Sequence, residues 1–317
     1  MTACAGRPPV VSVILPVYNG GRFLQPALES IRAQTFTDFE CLVLDDGSTD
    51  GSGDVAQRFA DGDARFRVIR RENRGLVATL NELLGHARGD LFARMDADDV
   101  ALPDRLARQV EFMTLHPEVV CLGGGQILMD ECDRPIAPIE PPVDDLVIQE
   151  SALRGHGSIC HPTAVIRAAA LRELGGYRPD FYPAEDLDLW LRLGELGALA
   201  NLATPVIFYR IHSGSISGLA AGGRQREAGR RACAAAWLRR GRSDVVYEAG
   251  AAWRPGSDAD SRYRFALDYG WRAHLAGFRA TSRTYGLKAI RLKPWRQGGW
   301  RLLAKAMAAP KAGRDLA

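Results

Sequence analysis

Four strand-length apolar runs, Val10–Leu15, Cys41–Leu44, Phe66–Ile69 and Leu91–Met95, are separated by segments whose apolar residues recur at helical spacing. Leu24, Leu28 and Ile31 mark one such helix, and Leu76, Leu80 and Leu83 another. Pro103 opens a third that carries Leu106, Val110 and Met113. Strands alternating with helices in this way predict βαβ units and a mainly parallel sheet with flanking helices. Such sheets take ligands beyond the carboxyl ends of their strands. Three polar segments fall at that edge: Pro16–Asn19, where Pro16 and Asn19-Gly20-Gly21 break the first strand, Asp45-Asp46-Gly47-Ser48, and Asp96–Asp99.

The last segment sets Asp96, Asp98 and Asp99 within four positions. Two unit charges ~4 Å apart repel by roughly 1 kcal/mol in water and about 4 kcal/mol at an effective dielectric near 20. Water, protons or a cation must therefore compensate them. The Asp-x-Asp string alone is weak, because Asp61–Asp63, Asp186–Asp188 and Asp258–Asp260 repeat it. Asp96-Ala97-Asp98 stands apart because it ends a buried strand at the rim, facing two other polar strand ends.

From about residue 119 the pattern is mixed. Breaks at Pro138, Pro141 and Pro142 and a helix near Asp144–Leu153 precede a strand at Ala164–Arg167. Gly175-Gly176-Tyr177, a loop to Pro183, a helix Glu185–Leu196 and a strand Val206–Tyr209 follow, and after Gly218 the chain reads as helical. The expected division is a catalytic α/β domain over 1–217 and a helical, basic C-terminal appendage over 218–317.

The net charge of +3 hides an asymmetry, because all four lysines lie at or beyond residue 288. No apolar run approaches membrane-spanning length. The N-terminal apolar run has no basic segment ahead of it, so a secretory signal is not expected. Six cysteines without a CxxC spacing support neither a zinc site nor a disulfide framework and fit a reducing, cytoplasmic setting.

Taken in order, VSVILPVYNGGRFLQPALESI, FECLVLDDGSTDGS, NRGLVATLNELL, GDLFARMDADDVALPDRL, GGYRPDFYPAEDLDLWLRL and YRIHSGSIS resemble the family 2 inverting glycosyltransferases with a GT-A fold, over roughly residues 10 to 217. The resemblance implies a nucleotide-sugar donor, UDP-sugars first, a Mn²⁺ or Mg²⁺ ion, and a glycan or lipid-linked acceptor in bacterial surface polysaccharide or glycolipid synthesis. By motif position, Pro16, Val17, Tyr18, Asn19, Asp45 and Asp46 would hold the nucleoside. Asp98 would ligate the metal, with Asp96 on the ribose or on the metal's waters. His212 would add a third metal or diphosphate contact, and Arg74 and Arg94 would meet the diphosphate. The aspartate heading the helix after residue 184, Asp186, would be the general base, with Glu185 its alternative. Local helix-dipole stabilisation accounts equally for two acids at a helix start. His161, in CHPTAV, reads as local structure.

Four other readings compete. A haloacid-dehalogenase-type phosphatase places Asp-x-Asp after a buried strand, but it normally carries a lysine, and none precedes Lys288. The GxxxxGK[ST] string of a P-loop is missing, as is the GxGxR signature of sugar-nucleotide pyrophosphorylases. A non-catalytic nucleotide-sugar-binding protein on the same fold would have no need of Asp186. In the tail, Trp295 and Trp300 interleaved with Arg291, Lys293, Arg296, Arg301 and Lys305 have the composition of an interfacial anchor over 284–310. The protein would then be peripheral at the inner face of the cell membrane. A packed appendage is the other reading, and no motif accompanies the charge to suggest nucleic acid.

Overall fold

The computed structural model describes residues 7–212, 222–248, 256 and 258–308. The chain opens with β1 (Val11–Val17), α1 (Leu24–Arg32), β2 (Phe39–Asp46), α2 (Ser52–Gly62), β3 (Phe66–Arg71), α3 (Leu76–His86) and β4 (Leu91–Arg94). It continues through β5 (Val100–Ala101), α4 (Arg105–Leu115), β6 (Val119–Asp130), β7 (Pro135–Ile139), α5 (Asp145–Leu153), β8 (Val165–Arg167), α6 (Ala168–Glu173), α7 (Glu185–Leu193) and β9 (Ala198–Ile211). Four helices follow: α8 (Gly222–Arg240), α9 (Ala259–Leu275), α10 (Arg279–Leu292) and α11 (Gln297–Ala308).

The strands lie in the order β3-β2-β1-β4-β8-β6-β9-β5, with β7 against β6. The first four run parallel, as the alternating pattern predicts, while β8 is antiparallel to both β4 and β6. The sheet is therefore mixed. Val13, Leu15, Val43 and Ala93 pack on one face against Leu24, Leu28 and Ile31 of α1 and Leu106 of α4. Ile14, Leu42, Leu44 and Phe92 pack on the other, with Leu80 and Leu83 of α3 and Leu189 and Trp190 of α7. Each of these valine, leucine, isoleucine and phenylalanine side chains, fully buried, contributes roughly 1.5–3 kcal/mol.

β1 runs through Pro16, which the sequence reading took as its end. Proline has no N–H for the ladder, so it is tolerated where a strand has a partner on one side only. Pairing of β1 with β4 stops at Ile14, whereas pairing with β2 continues to Val17, so Pro16 sits on that one-sided stretch. Likewise β6 and β9 are far longer than the short strands expected, and α7 ends at Leu193 with Gly194 as its cap.

The chain forms two compact units. The first comprises Met1–Gln126, Glu140–Ile207 and Gly223–Ala249, and the second Ile127–Ile139, Phe208–Gly222 and Gly250–Ala317. The division expected after residue 217 lies outside the described residues. Within the second unit, Tyr263, Tyr269, Tyr285 and Ala289 of α9 and α10 pack with Leu128, Ile136 and Ile211. Tyr285 donates its hydroxyl hydrogen to Asp130 at 3.1 Å.

In the first unit, the fully buried Asp188 fixes α7 to the preceding loop. It accepts from Arg192 Nε at 2.9 Å and from Arg178 Nε at 2.9 Å, and Arg192 Nη2 reaches the carbonyl of Gly176 at 2.9 Å. Removing one partner of a buried pair leaves the other charge uncompensated. Asp188→Ala should therefore lower the unfolding free energy in urea by about 3–5 kcal/mol. A loss under about 1 kcal/mol would show that this pair does not hold α7 in place.

Candidate functional site

The carboxyl ends of β1, β2 and β4 meet at one edge, and the loops after β1 and β2 are laced together. Asn19 N–H donates to Ser48 Oγ at 2.9 Å, Thr49 N–H to Asn19 Oδ1 at 2.9 Å, and Gly20 N–H to Ser52 Oγ at 3.0 Å. Gly47 has φ of +78°, and a Cβ there would lie 2.8 Å from the backbone nitrogen of Asn73. Only glycine fits this turn at low cost.

Asp45 Oδ1 accepts the N–H of Ser48 at 3.0 Å. Asp46 is engaged by its own chain: it accepts the N–H groups of Arg74 at 2.8 Å and Gly75 at 2.9 Å, and it pairs with Arg71. Asp46 therefore shapes the loop that leads into α3. Pro16 and Val17 are buried, whereas Tyr18 is 57% exposed and Asn19 stands beside it. Arg74 is exposed, and the contact it makes with Asp46 comes from its backbone.

At the end of β4, Arg94 is buried and forms an ion pair with Asp96. Burial by itself would weaken the guanidinium's charge, but Asp96 and Asp99 hold it firmly protonated. Asp96, Asp98 and Asp99 each turn a carboxylate oxygen into a group whose atoms lie within 4.8 Å of one another. A set of hard oxygen donors this compact suits Mg²⁺ or Mn²⁺ and is poorly matched to softer ions.

Beneath the cluster, Arg105 of α4 donates to the carbonyl of Arg94 at 2.7 Å and to Gln109 Oε1 at 3.0 Å. Gln109 Nε2 donates in turn to the carbonyl of Thr163 at 2.7 Å. Burial lowers the Arg105 pKa to about 10, with Asp99 opposing the drop. This pair ties the end of β4 to the turn that carries Cys160 and His161.

The start of α7 brings a second acidic group. Glu185 is buried, and its Oε2 has no hydrogen-bond partner. Burial first, and the neighbouring Asp186 second, push its pKa up to about 8. Burial also raises Asp186, against the N–H of Leu187, which donates to its Oδ1 at 2.7 Å. Arg94 lowers both groups and Asp96 raises both, which places the head of α7 within electrostatic reach of the β4 cluster.

Tyr177 and His161 both lie within reach of Arg94's charge, and their Oη and Nε2 are 2.8 Å apart. Burial, helped by Arg94, drives His161 well below its usual range, so the ring is neutral near pH 7. Burial raises the Tyr177 phenol. His161 also sets its ring edge-on to Trp190, with centroids 5.7 Å apart.

The structure thus gathers Arg94, Asp96, Asp98, Glu185 and Asp186 of the expected residues, with Asp45, Asp46, Tyr18 and Asn19 on the neighbouring strand ends. His212 directly follows β9 and belongs to the second unit. Sequence reading passed over Arg105, Gln109 and Tyr177. The helical i, i+4 spacing of Arg105 and Gln109 behind Pro103 was their available signal. Tyr177 carried none beyond its glycine pair.

A family model described as Glycosyl transferase family 2 matches residues 12–175. The chain is 39% identical over 194 residues to the "Putative glycosyltransferase EpsE" of Bacillus subtilis (strain 168), covering 60% of this chain and 68% of that protein. It is 32% identical over 208 residues to the amylovoran biosynthesis glycosyltransferase AmsE of Erwinia amylovora, covering 64% and 76% respectively. A crystal structure of S. aureus TarS 1–349 in complex with UDP-GlcNAc matches with a TM-score of 0.59 at 18% identity, over 94% of this chain and 87% of that one. The fold is GT-A, and the chain belongs to glycosyl transferase family 2.

Proposed function

We propose that this protein is an inverting glycosyltransferase that moves a sugar from a nucleoside diphosphate sugar, with UDP-sugars the first donors to test, to a hydroxyl of a growing surface polysaccharide or glycolipid. The observation that carries the reading is the arrangement of two acidic groups around one buried arginine, with the Asp96–Asp98–Asp99 cluster on one side and Glu185–Asp186 on the other. The kinship with AmsE supports a polysaccharide acceptor.

In this reading Tyr18, Asn19 and Asp45 receive the nucleoside, a carboxylate being suited to accept hydrogen bonds from a base imide or ribose hydroxyls. Asp98 and Asp96 would hold Mn²⁺ or Mg²⁺, which supplies a Lewis acid for the charge that develops on the departing diphosphate. Arg94 pairs with Asp96 and orients its carboxylate. His212 is a further candidate contact on the strength of its motif.

Asp186 takes the proton of the acceptor hydroxyl as that oxygen attacks the anomeric carbon from the side opposite the diphosphate. Inversion follows from that single displacement. Glu185 stays protonated near pH 7, because burial and then the neighbouring Asp186 push its pKa up to about 8. That proton spares the site one negative charge beside the base.

The two acids are separable by experiment. Asp186→Asn should lower kcat by about 10²–10⁴-fold with donor affinity unchanged, the range for a positioned general base. Glu185→Gln mimics the protonated acid and should keep near pH 7 a rate within a few-fold of wild type. Equal activity of Asp186→Asn and wild type would remove Asp186 as the base.

The same residue gives a stability signature. With a folded pKa near 8 against an ordinary 4.5, Glu185 binds a proton in the native state that the unfolded chain has released. Native stability therefore falls as pH rises from about 4.5 to 8. Glu185→Gln removes that loss, so its Tm should exceed wild type's at pH 8.5 and approach it at pH 5. Matching Tm profiles at both values would place the Glu185 carboxyl in ordinary solvent.

Donor and ion are read together by thermal shift with UDP-, GDP- and dTDP-sugars, each with and without Mn²⁺. Ligand at 100 times its Kd stabilises by about 2.7 kcal/mol. The true donor should raise Tm only with the ion present, and Asp98→Asn should abolish that dependence. A donor shift indifferent both to Mn²⁺ and to Asp98→Asn would argue for a metal-independent site.

A further inference from the structure

Among the described residues, α10 and α11 carry a surface that lies outside the residues of the proposed site. α10 and α11 pack closely and in opposite directions: a Cβ on Gly286 would lie 3.2 Å from Leu303 N, and one on Gly299 would lie 2.9 Å from Ile290 N. α11 turns Gly299, Leu302 and Ala306 inward. At 100° per residue Trp300, Ala304 and Met307, spaced i, i+4, i+7, share one exposed side of α11. Trp300 is 54% and Met307 64% exposed. On α10, which buries Tyr285, Gly286 and Ala289, Leu287 faces outward. Trp295, in the turn joining the two helices, is 75% exposed. The Trp300 indole N–H donates to the carbonyl of Pro294 at 2.9 Å, which satisfies the ring's one polar atom at that turn.

Charge surrounds this apolar stripe, and it has one sign. Residues 269–308 contain nine Lys or Arg and no Asp or Glu. Arg291, Arg301 and Lys305 are exposed alongside the stripe. Asp260 engages Lys293 at 2.7 Å and Arg296 at 3.2 Å, so those two are answered within the protein. A second copy of the chain fits poorly here, since a two-fold interface sets the same patch against itself and would bring like charges together. Trp, Leu, Met and Ala in a helical stripe beside basic side chains suit the boundary between headgroups and acyl chains, where tryptophan rings settle and basic groups meet anionic lipid.

We infer that the outer side of the α10–α11 pair docks on an anionic lipid bilayer, with Leu287, Trp295, Trp300 and Met307 entering the interface and Arg291, Arg301 and Lys305 meeting lipid phosphates. The attachment is peripheral, because no helix among the described residues is long and apolar enough to cross a membrane.

Flotation of the full-length protein with vesicles tests this, comparing phosphatidylcholine alone with phosphatidylcholine containing roughly one-third phosphatidylglycerol. Each basic residue near an anionic surface contributes about 1 kcal/mol, a factor of about five. Arg291→Gln/Arg301→Gln/Lys305→Gln should therefore weaken partitioning to the anionic vesicles on the order of 100-fold. Trp295→Ser/Trp300→Ser should weaken it about tenfold or more. All five side chains are exposed, so the variants should keep the wild-type Tm. Raised salt, which screens the attraction without any substitution, should release the wild-type protein.

Equal partitioning of wild type to neutral and anionic vesicles would overturn the inference, as would retention by either variant. A wild-type dimer in sedimentation that Trp295→Ser/Trp300→Ser dissociates, without vesicle binding, would assign the surface to self-association instead. Salt-sensitive binding to a random oligonucleotide that survives loss of both tryptophans, again without vesicle binding, would assign it to nucleic acid.

Discussion

Arg94 ends β4 with 5% of its side chain exposed, and the carboxylates gathered at that strand end must be balanced against its positive charge. Asp96 pairs with it directly, Asp99 reinforces its protonation, and Glu185 and Asp186 both feel its field. Like charges about 4 Å apart cost roughly 4 kcal/mol at an effective dielectric near 20. Arg94 is one of the groups that answer these acids. The protein meets the remainder in part by keeping a proton on Glu185, which burial and its neighbour make a weak acid. Several acids are thus gathered about one buried guanidinium, and hard oxygen donors so placed suit a dication.

The support under Arg94 matters as much as its charge. A buried guanidinium with loose geometry would leave the acids free to move apart and into water, and the cluster would disperse. Arg105 prevents this by holding the Arg94 carbonyl at 2.7 Å, and Gln109 carries the restraint to Thr163 in the turn beside His161. The strand end, the His161 turn and the head of α7 are therefore fixed in one frame. His161 is neutral and bonded to Tyr177, so its contribution to this frame is shape and a hydrogen bond, with no added charge.

Much of this was legible in the chain because it depends on local pattern. Apolar runs alternating with helical spacing placed β1 to β4 and their parallel order, and with them the edge where Asp45, Asp96 and Asp98 stand. The antiparallel insertion of β8 between β4 and β6 was not legible, since a three-residue strand leaves almost no periodic signal. The same limit hid the two-unit organisation, in which Ile127–Ile139 joins residues far along the chain. Pro16 misled for a different reason: a proline's cost in a strand depends on which neighbour pairs beside it, and that is a property of the sheet. In the tail, Gly298 and Gly299 lie inside α11, where small size serves packing against α9 and α10.

The four Asp-x-Asp strings show why a motif becomes a site only through its surroundings. Asp63 closes α2 and is held by Arg65 at 2.7 Å, its pKa lowered chiefly by that bond. Asp258 caps α9 by accepting the N–H of Ser261 at 2.7 Å, and Asp260 is taken by Lys293. Asp188 is consumed by Arg178 and Arg192, while Asp186, two residues earlier, faces Arg94's field at the head of the same helix. In the first three cases a basic side chain or a helix N-terminus answers the charge locally, and the local need for a cation disappears. At residues 96–99 three carboxylates converge into one group, and Arg94 pairs with Asp96. Identical strings thus separate by what the fold places around each, and among the described residues it is at 96–99 that three carboxylates are brought into one compact group of hard oxygen donors.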